Sequence, residues 1–149
     1  MQKLLFTLLL LCIAFTGKAQ DCDSLREKVS ELFNAAKFQE GLKVALQAEK
    51  ACFCDTALTE KYVNALFDVG VLYQCTGNIW KALEYADKAI SLYKKKFDTL
   101  SHDYLNNLNN SANMYKEAGD LQTASKLYNQ IVHAMRITSE DTTEYFYLI

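Results

Sequence analysis

The sequence predicts an all-α protein in which three helical hairpins stack into a solenoid. Its 149 residues contain no proline and only five glycines, a composition that permits long helices and disfavours a turn-rich β architecture. When the sequence is aligned with itself at an offset of 42 residues, the helical segment around 66–82 matches the one around 108–124. An offset of 41 residues toward the N-terminus gives a weaker third copy. Because one hairpin cannot bury its apolar face alone, neighbouring copies are expected to stack.

The repeat rests on residues that recur in the same order and spacing. The second and third copies share the pairs Leu66/Leu108, Gly70/Ala112, Tyr73/Tyr115, Gly77/Gly119 and Ala82/Ala124. The weaker first copy contains Leu25, Val29, Leu32, Ala36, Gly41, Ala45 and Ala48. These alignments predict hairpins over 22–54, 57–97 and 102–138, with helices at 22–35 and 38–54, 57–76 and 79–97, and 102–118 and 121–138.

Each strong hairpin breaks at a glycine. Gly77 and Gly119 stand where the first helix must end, since glycine adopts the left-handed conformation at little cost. Asn78 and Asp120 follow them and are good N-cap residues for the second helix.

These residues resemble the tetratricopeptide repeat (TPR) family. The stretch "LFDVGVLY" is similar to the family's W-x2-L-G-x2-Y motif with Leu66 in the Trp place, and Ala82-x3-Ala86 is similar to its A-x3-F motif. The 42-residue spacing and "LNNLNNSANMYKEAGD" resemble the longer-helix subclass found in kinesin light chains. The resemblance covers residues 22–138 and implies a right-handed TPR solenoid. It departs from the family in having Lys94 and Arg136 where proline usually ends the second helix.

The first 19 residues read as a bacterial secretory signal peptide. Lys3 precedes an apolar run over 4–15, which is too short to span a bilayer, and Gly17 and Ala19 suit the −3 and −1 positions of a cleavage site. We expect cleavage after Ala19 and export to the periplasm or the extracellular space, with the repeats occupying residues 20–138. No later segment is predicted to span a membrane.

Four cysteines remain after that cleavage, and export would expose them to an oxidising compartment. Cys22 opens the first hairpin, and Cys52 and Cys54 close it, so we expect a Cys22–Cys52 disulfide with Cys54 as the competing partner. Cys75 lies at the far end of its helix, roughly 30 Å from Cys54, and its thiol is expected to be free. A metal or redox site on Cys52 and Cys54 is the alternative.

The TPR resemblance also implies a concave surface lined by the first helix of each hairpin, suited to a protein or an extended peptide. By phase, its members are Asn64, Phe67, Val71 and Gln74 in the second repeat, Asn106, Asn109, Asn113 and Lys116 in the third, and Asp23, Arg26, Ser30 and Phe33 in the first. An asparagine amide both donates and accepts, so a row of them can bond a peptide backbone without reading its sequence. Phe67, Val71 and Phe33 are candidates for apolar pockets, whereas the alternative is that the asparagines only face water.

Enzymatic and nucleic-acid functions find no support in the pattern. His102 and His133 lack companions at metal-ligand spacing, and the sequence has no phosphate-binding glycine loop and no nucleophile elbow. The net charge of −2 does not suggest a nucleic-acid surface. We therefore predict no catalytic residues, cofactor or metal.

Residues 139–149 read as the start of a next repeat or as a short terminal helix. The first reading favours a second hypothesis, in which the chain is the sensor arm of a larger protein. It would then resemble the exported TPR arrays that precede a caspase-like CHAT protease domain or a membrane-bound signalling module. A third hypothesis is self-association through the apolar face of Tyr145, Phe146, Leu148 and Ile149.

Overall fold

A computed structural model describes residues 21–53 and 59–138. Within these ranges the chain forms helices and no strand, which confirms the all-α fold class. The helices are α1 (Cys22–Asn34), α2 (Phe38–Cys52), α3 (Glu60–Cys75), α4 (Ile79–Lys96), α5 (His102–Glu117) and α6 (Leu121–Thr138). Each lies within the span predicted for it. The predicted signal peptide, Cys54 and the segment 139–149 with its self-association face lie outside the described residues.

Successive helices form antiparallel hairpins, because only a few residues connect α1 to α2, α3 to α4 and α5 to α6. The hairpins then stack in chain order, with α2 packing against α3 and α4 against α5. The first helices of neighbouring hairpins also touch, α1 against α3 and α3 against α5. None of the described helices is both long and apolar enough to cross a bilayer.

Side-chain caps begin most of these helices. Asn78 Oδ1 accepts a hydrogen bond from the Lys81 backbone N–H at 3.2 Å, and Asp120 Oδ1 accepts one from that of Thr123 at 3.0 Å, so both predicted N-caps are confirmed. The hydrogen bonds from Thr123 lower the pKa of Asp120. Equivalent caps come from Asp21, Thr59 and Ser101. Lys37, the N-cap residue of α2, makes no side-chain cap hydrogen bond.

The turn inside each hairpin requires a left-handed residue. Gly77 and Gly119 adopt φ of 83° and 87°, as predicted from their repeat positions. At the corresponding place in the first hairpin, Ala36 is held at a φ of 54°. An alanine pays for this conformation in steric strain between its Cβ and the backbone, whereas glycine does not.

The core lies between hairpins and is densest where α3, α4 and α5 meet. Tyr93 is fully buried, and its ring stacks on that of Tyr104 with centroids 4.7 Å apart. The Tyr93 hydroxyl donates to Glu60 Oε1 and lies 2.9 Å from Ser101 Oγ. One side chain of α4 therefore joins the start of α3 to the start of α5.

A disulfide joins Cys22 to Cys52, whose Cα atoms are 4.8 Å apart. It links the first residue of α1 to the last residue of α2 and closes a loop with a sequence separation of 30 residues. A loop of this length is expected to contribute about 3 kcal/mol to stability. With its sulfur in the disulfide, Cys52 is not a thiolate ligand for the alternative metal or redox site. Cys75 is a free, exposed thiol.

Replacing Ala36 by glycine should raise the free energy of unfolding by about 0.5–1 kcal/mol, because the strain of the left-handed turn is removed. The reverse change, Gly77→Ala, should lower it by about 1 kcal/mol, since a Cβ there meets no neighbour and the cost is conformational. Chemical denaturation of both variants measures the two effects. Destabilisation by Ala36→Gly would contradict the assignment of strain to this turn.

Candidate functional site

The first helices α1, α3 and α5 form the inner side of the stack. Their backbones come within contact distance of one another, whereas the described second helices, α2, α4 and α6, show no comparable contact between neighbours. A stack whose first helices approach more closely curves toward them. The surface of α1, α3 and α5 is called the inner surface below.

Polar bonds join the first helices across this inner surface. Arg26 Nε lies 2.8 Å from Asp68 Oδ2, and Lys61 pairs with Asp23, so α1 is tied to α3 by two ion pairs. Between α3 and α5, the side chains of Asn64 and Gln74 are hydrogen bonded to those of Asn107 and Glu117, at 3.3 Å and 2.7 Å. The amides predicted at 64 and 74 are therefore engaged by the neighbouring repeat.

The Arg26–Asp68 pair is the more buried of the two ion pairs. Its side chains are 30% and 28% exposed, against 59% and 65% for Lys61 and Asp23. Burial raises the pKa of Asp68 above its ordinary value, and the guanidinium of Arg26 opposes that rise. Arg26 therefore compensates a carboxylate that the fold has partly removed from water.

Helix α5 presents the predicted row of Asn106, Asn109, Asn113 and Lys116, and all four side chains are exposed. Their spacing of three and four residues keeps them on one side of the helix. Asn113 Oδ1 accepts a hydrogen bond of 2.6 Å from the Tyr128 hydroxyl of α6, which fixes the orientation of that amide. This set is called the asparagine row below.

Phe67 was predicted to line the inner surface, and this is wrong. Its side chain is only 2% exposed and belongs to the core cluster that contains Leu105 and Leu108, because α5 packs over that side of α3. Val71 is half-buried against a cluster that includes Met114 and presents only part of its surface. Phe33, the third predicted apolar residue, is 40% exposed, and its ring packs against that of Phe38 at 5.6 Å.

Among the residues of the inner surface that were missed from the sequence, three stand about one repeat after a predicted partner. Asp68, Asn107 and Glu117 each bond a predicted residue on the helix before them. Their partners stand 42 or 43 residues earlier, so a search for polar pairs one repeat apart would have found them.

The described residues form no cluster suited to a metal ion. No group of three or more histidine, cysteine, aspartate or glutamate side chains in this part of the chain is placed to hold a metal ion. His102 and His133 are exposed on different helices.

Replacing Arg26 by alanine should lower the free energy of unfolding by about 1 kcal/mol at neutral pH, because the Asp68 carboxylate loses its partner. Without Arg26 the pKa of Asp68 in the folded chain rises further above its unfolded value, so the folded variant binds a proton at higher pH than the unfolded chain does. Protonation of Asp68 then favours folding. The loss in free energy of unfolding relative to the unaltered protein should therefore shrink as the pH falls through that pKa.

Denaturation at neutral and mildly acidic pH measures this dependence. Lys28→Ala is the control, since it removes an exposed ion pair with Glu31 within the same helix and should change little. A deficit of the same size at both pH values would contradict the role assigned to Arg26.

Comparison with known proteins agrees with this architecture. A search of curated sequences finds no match. Among solved structures, a Podosopora anserina chain described as a kinesin light chain with nearly identical TPR-like repeats superposes with a TM-score of 0.68 at 17% identity. The match covers 86% of this chain and 63% of that chain, so the present sequence spans less than two thirds of that relative's length.

The TPR domain of Arabidopsis FLU superposes with a TM-score of 0.66, also at 17% identity, over 79% of this chain and 97% of that domain. At this identity the two structures support the fold alone. A family model described as tetratricopeptide repeat matches residues 61–136, just over half of the chain. The chain therefore belongs to the tetratricopeptide repeat family.

Proposed function

We propose that this protein is an exported scaffold that binds an extended peptide or a segment of a partner protein along its inner surface. TPR repeats generally serve as protein–protein interaction scaffolds, and their solenoids present extended concave binding surfaces. The observation that carries the proposal is the exposed asparagine row on one side of α5.

The asparagine row suits a peptide backbone. Neighbouring members three or four residues apart are about 5–6 Å from one another on a helix, somewhat less than the roughly 6.6–7.2 Å that two extended residues span, and the side-chain torsions can adjust for this difference. Asn106 and Asn109 each offer a side-chain oxygen and two N–H donors, and Asn113 offers its N–H donors because its oxygen accepts from Tyr128, so the row can satisfy a backbone N–H or C=O whatever the side chain. Lys116 adds a cation at the end of the row, where a carboxylate of the partner would be stabilised.

The bonds beneath the row make the surface suitable for binding. Asn107 bonds to Asn64, and Glu117 bonds to Gln74, so α5 is held in register with α3 before a partner arrives. A surface that is already ordered loses less conformational entropy on binding. The polar bonds between repeats thus support recognition by the exposed residues that stand beside them.

Export is part of the proposal and has two supports. The first is the leader-like sequence of residues 1–19. The second is the Cys22–Cys52 disulfide, which is typical of oxidising compartments and rare in the cytosol.

Production in a bacterial host with its own leader should yield a periplasmic protein that begins at Gln20 and carries the Cys22–Cys52 bond. N-terminal sequencing and peptide mapping without reduction measure both features. Expression of residues 20–149 without the leader is the control and should leave the protein in the cytoplasm. Retention of residues 1–19 on a cytoplasmic product of the full chain would contradict export.

Replacing Asn106, Asn109 and Asn113 together by alanine should weaken peptide binding by roughly tenfold or more, because several backbone hydrogen bonds are lost at about 0.5–1.5 kcal/mol each. Random peptides displayed on phage are first selected on the unaltered protein. The affinity of a selected peptide for each variant is then measured by fluorescence polarisation.

The matched control replaces Gln39 and Gln47, two exposed amides of α2, by alanine. The helical circular dichroism of the triple variant should equal that of the parent, since all three asparagines are exposed. Unchanged affinity in the triple variant, or an equal loss in the control, would overturn the assignment of binding to the asparagine row.

A further inference from the structure

An open cavity of about 650 Å³ lies between α4, α5 and α6, on a different side of α5 from the asparagine row. Its volume falls within the range of small-molecule sites. The apolar part of its lining includes Leu100, Tyr104, Leu105 and Leu108, which come from the start of α5 and the turn before it. Residues of α6 form the opposite wall.

Two lysines, Lys94 and Lys126, line the cavity, and none of the described residues in its lining is an aspartate or a glutamate. Lys94 Nζ lies 3.5 Å from the Gln130 side-chain oxygen, so its partner is a neutral amide. These two lysines favour an anionic ligand in the cavity.

Tyr104 carries a polar atom that the fold leaves unsatisfied. The residue is 2% exposed and lines the cavity, yet its buried hydroxyl has no hydrogen-bond partner among the described residues. Burial raises the pKa of this hydroxyl to about 12, so it is a protonated donor at neutral pH. A buried donor without an acceptor is costly and rare in folded proteins.

The preceding pair of repeats shows how the equivalent groove is filled. There Tyr62 stands in the place of Tyr104, with the ring of Phe53 packed edge-on against it at 5.2 Å. Lys88 Nζ lies over the same ring at 5.5 Å and reaches the Glu49 carboxylate at 3.4 Å. The chain thus places its own aromatic ring and its own ammonium–carboxylate pair on this tyrosine.

In the cavity, other residues stand in place of the Phe53 ring and of the Lys88–Glu49 pair. By repeat register, Lys94 occupies the position of Phe53, and Gln130 occupies the position of Lys88. Lys126 similarly stands where the second repeat has Glu84, which reverses the charge. Among the described residues this groove therefore has no counterpart of the Phe53 ring or of the Glu49 carboxylate, although the Tyr93 ring stacks on Tyr104, and it has Lys94 and Lys126 instead.

We propose that the cavity between α4, α5 and α6 binds a small aromatic carboxylate. The ring of the ligand lies against Tyr104 and Leu105 where Phe53 lies in the preceding groove, and its carboxylate is stabilised by Lys94 and Lys126. This site does not depend on peptide binding at the inner surface.

Titration of the full chain with 3-phenylpropionate, followed by ¹H–¹⁵N NMR, tests the site. We expect saturable binding, with shifts concentrated in residues 99–108 and 126–134. The neutral analogue 3-phenylpropionamide should bind roughly tenfold more weakly, since it lacks the charge. Hexanoate, which has the charge without the ring, should also bind more weakly. Absence of saturable binding, or shifts that map elsewhere, would overturn the proposal.

Two variants separate a ligand site from general charge attraction. Lys126→Glu installs the residue of the second repeat and should weaken 3-phenylpropionate by roughly tenfold. Lys43→Glu makes the same charge change at an exposed position of α2 and should have no effect. Tyr104→Phe keeps the ring and removes an unsatisfied hydroxyl, so it should retain the affinity and leave the melting temperature of the free protein unchanged or higher. Equal effects of the two lysine variants would show that the cavity is not the site.

Discussion

The close approach of α3 and α4 at the centre of the stack is the constraint on which the other contacts depend. A Cβ on Gly70 would lie 3.3 Å from the Ala82 carbonyl oxygen, and Ala82 and Ala86 are completely buried. Because so little side-chain volume separates the two backbones, the larger residues are directed toward neighbouring hairpins. Leu66 and Leu72 then bury against those neighbours, and the solenoid follows from the small residues of its middle hairpin.

Much of the fold could be predicted from the sequence because it depends on the local chemistry of individual residues. Gly77 and Asn78 specify a turn and a cap through their own backbone and side chain, whatever packs around them. Ala36 shows the limit of that reasoning, since the first hairpin adopts the same left-handed turn without glycine. There the packing of the neighbouring helices imposes a conformation that the residue itself disfavours.

The binding surface was less predictable, because helical phase gives the side of a helix and not the distance to the next one. Phe67 and Asn109 occupy the same phase in successive repeats, yet one is buried and the other is exposed. In the same way, Tyr62 and Tyr104 share a register while different residues surround them. Sequence periodicity located both positions, but only the three-dimensional packing distinguishes a filled groove from an open one.

The bond between Cys22 and Cys52 has a mechanical consequence. It joins the two ends of the first hairpin, so a tension applied at the N-terminus passes through the sulfur atoms directly to the end of α2. The residues between them carry none of that load and cannot be extended while the bond is intact. Under force the second and third hairpins would therefore unfold first. The first hairpin would not be extended until the disulfide is reduced.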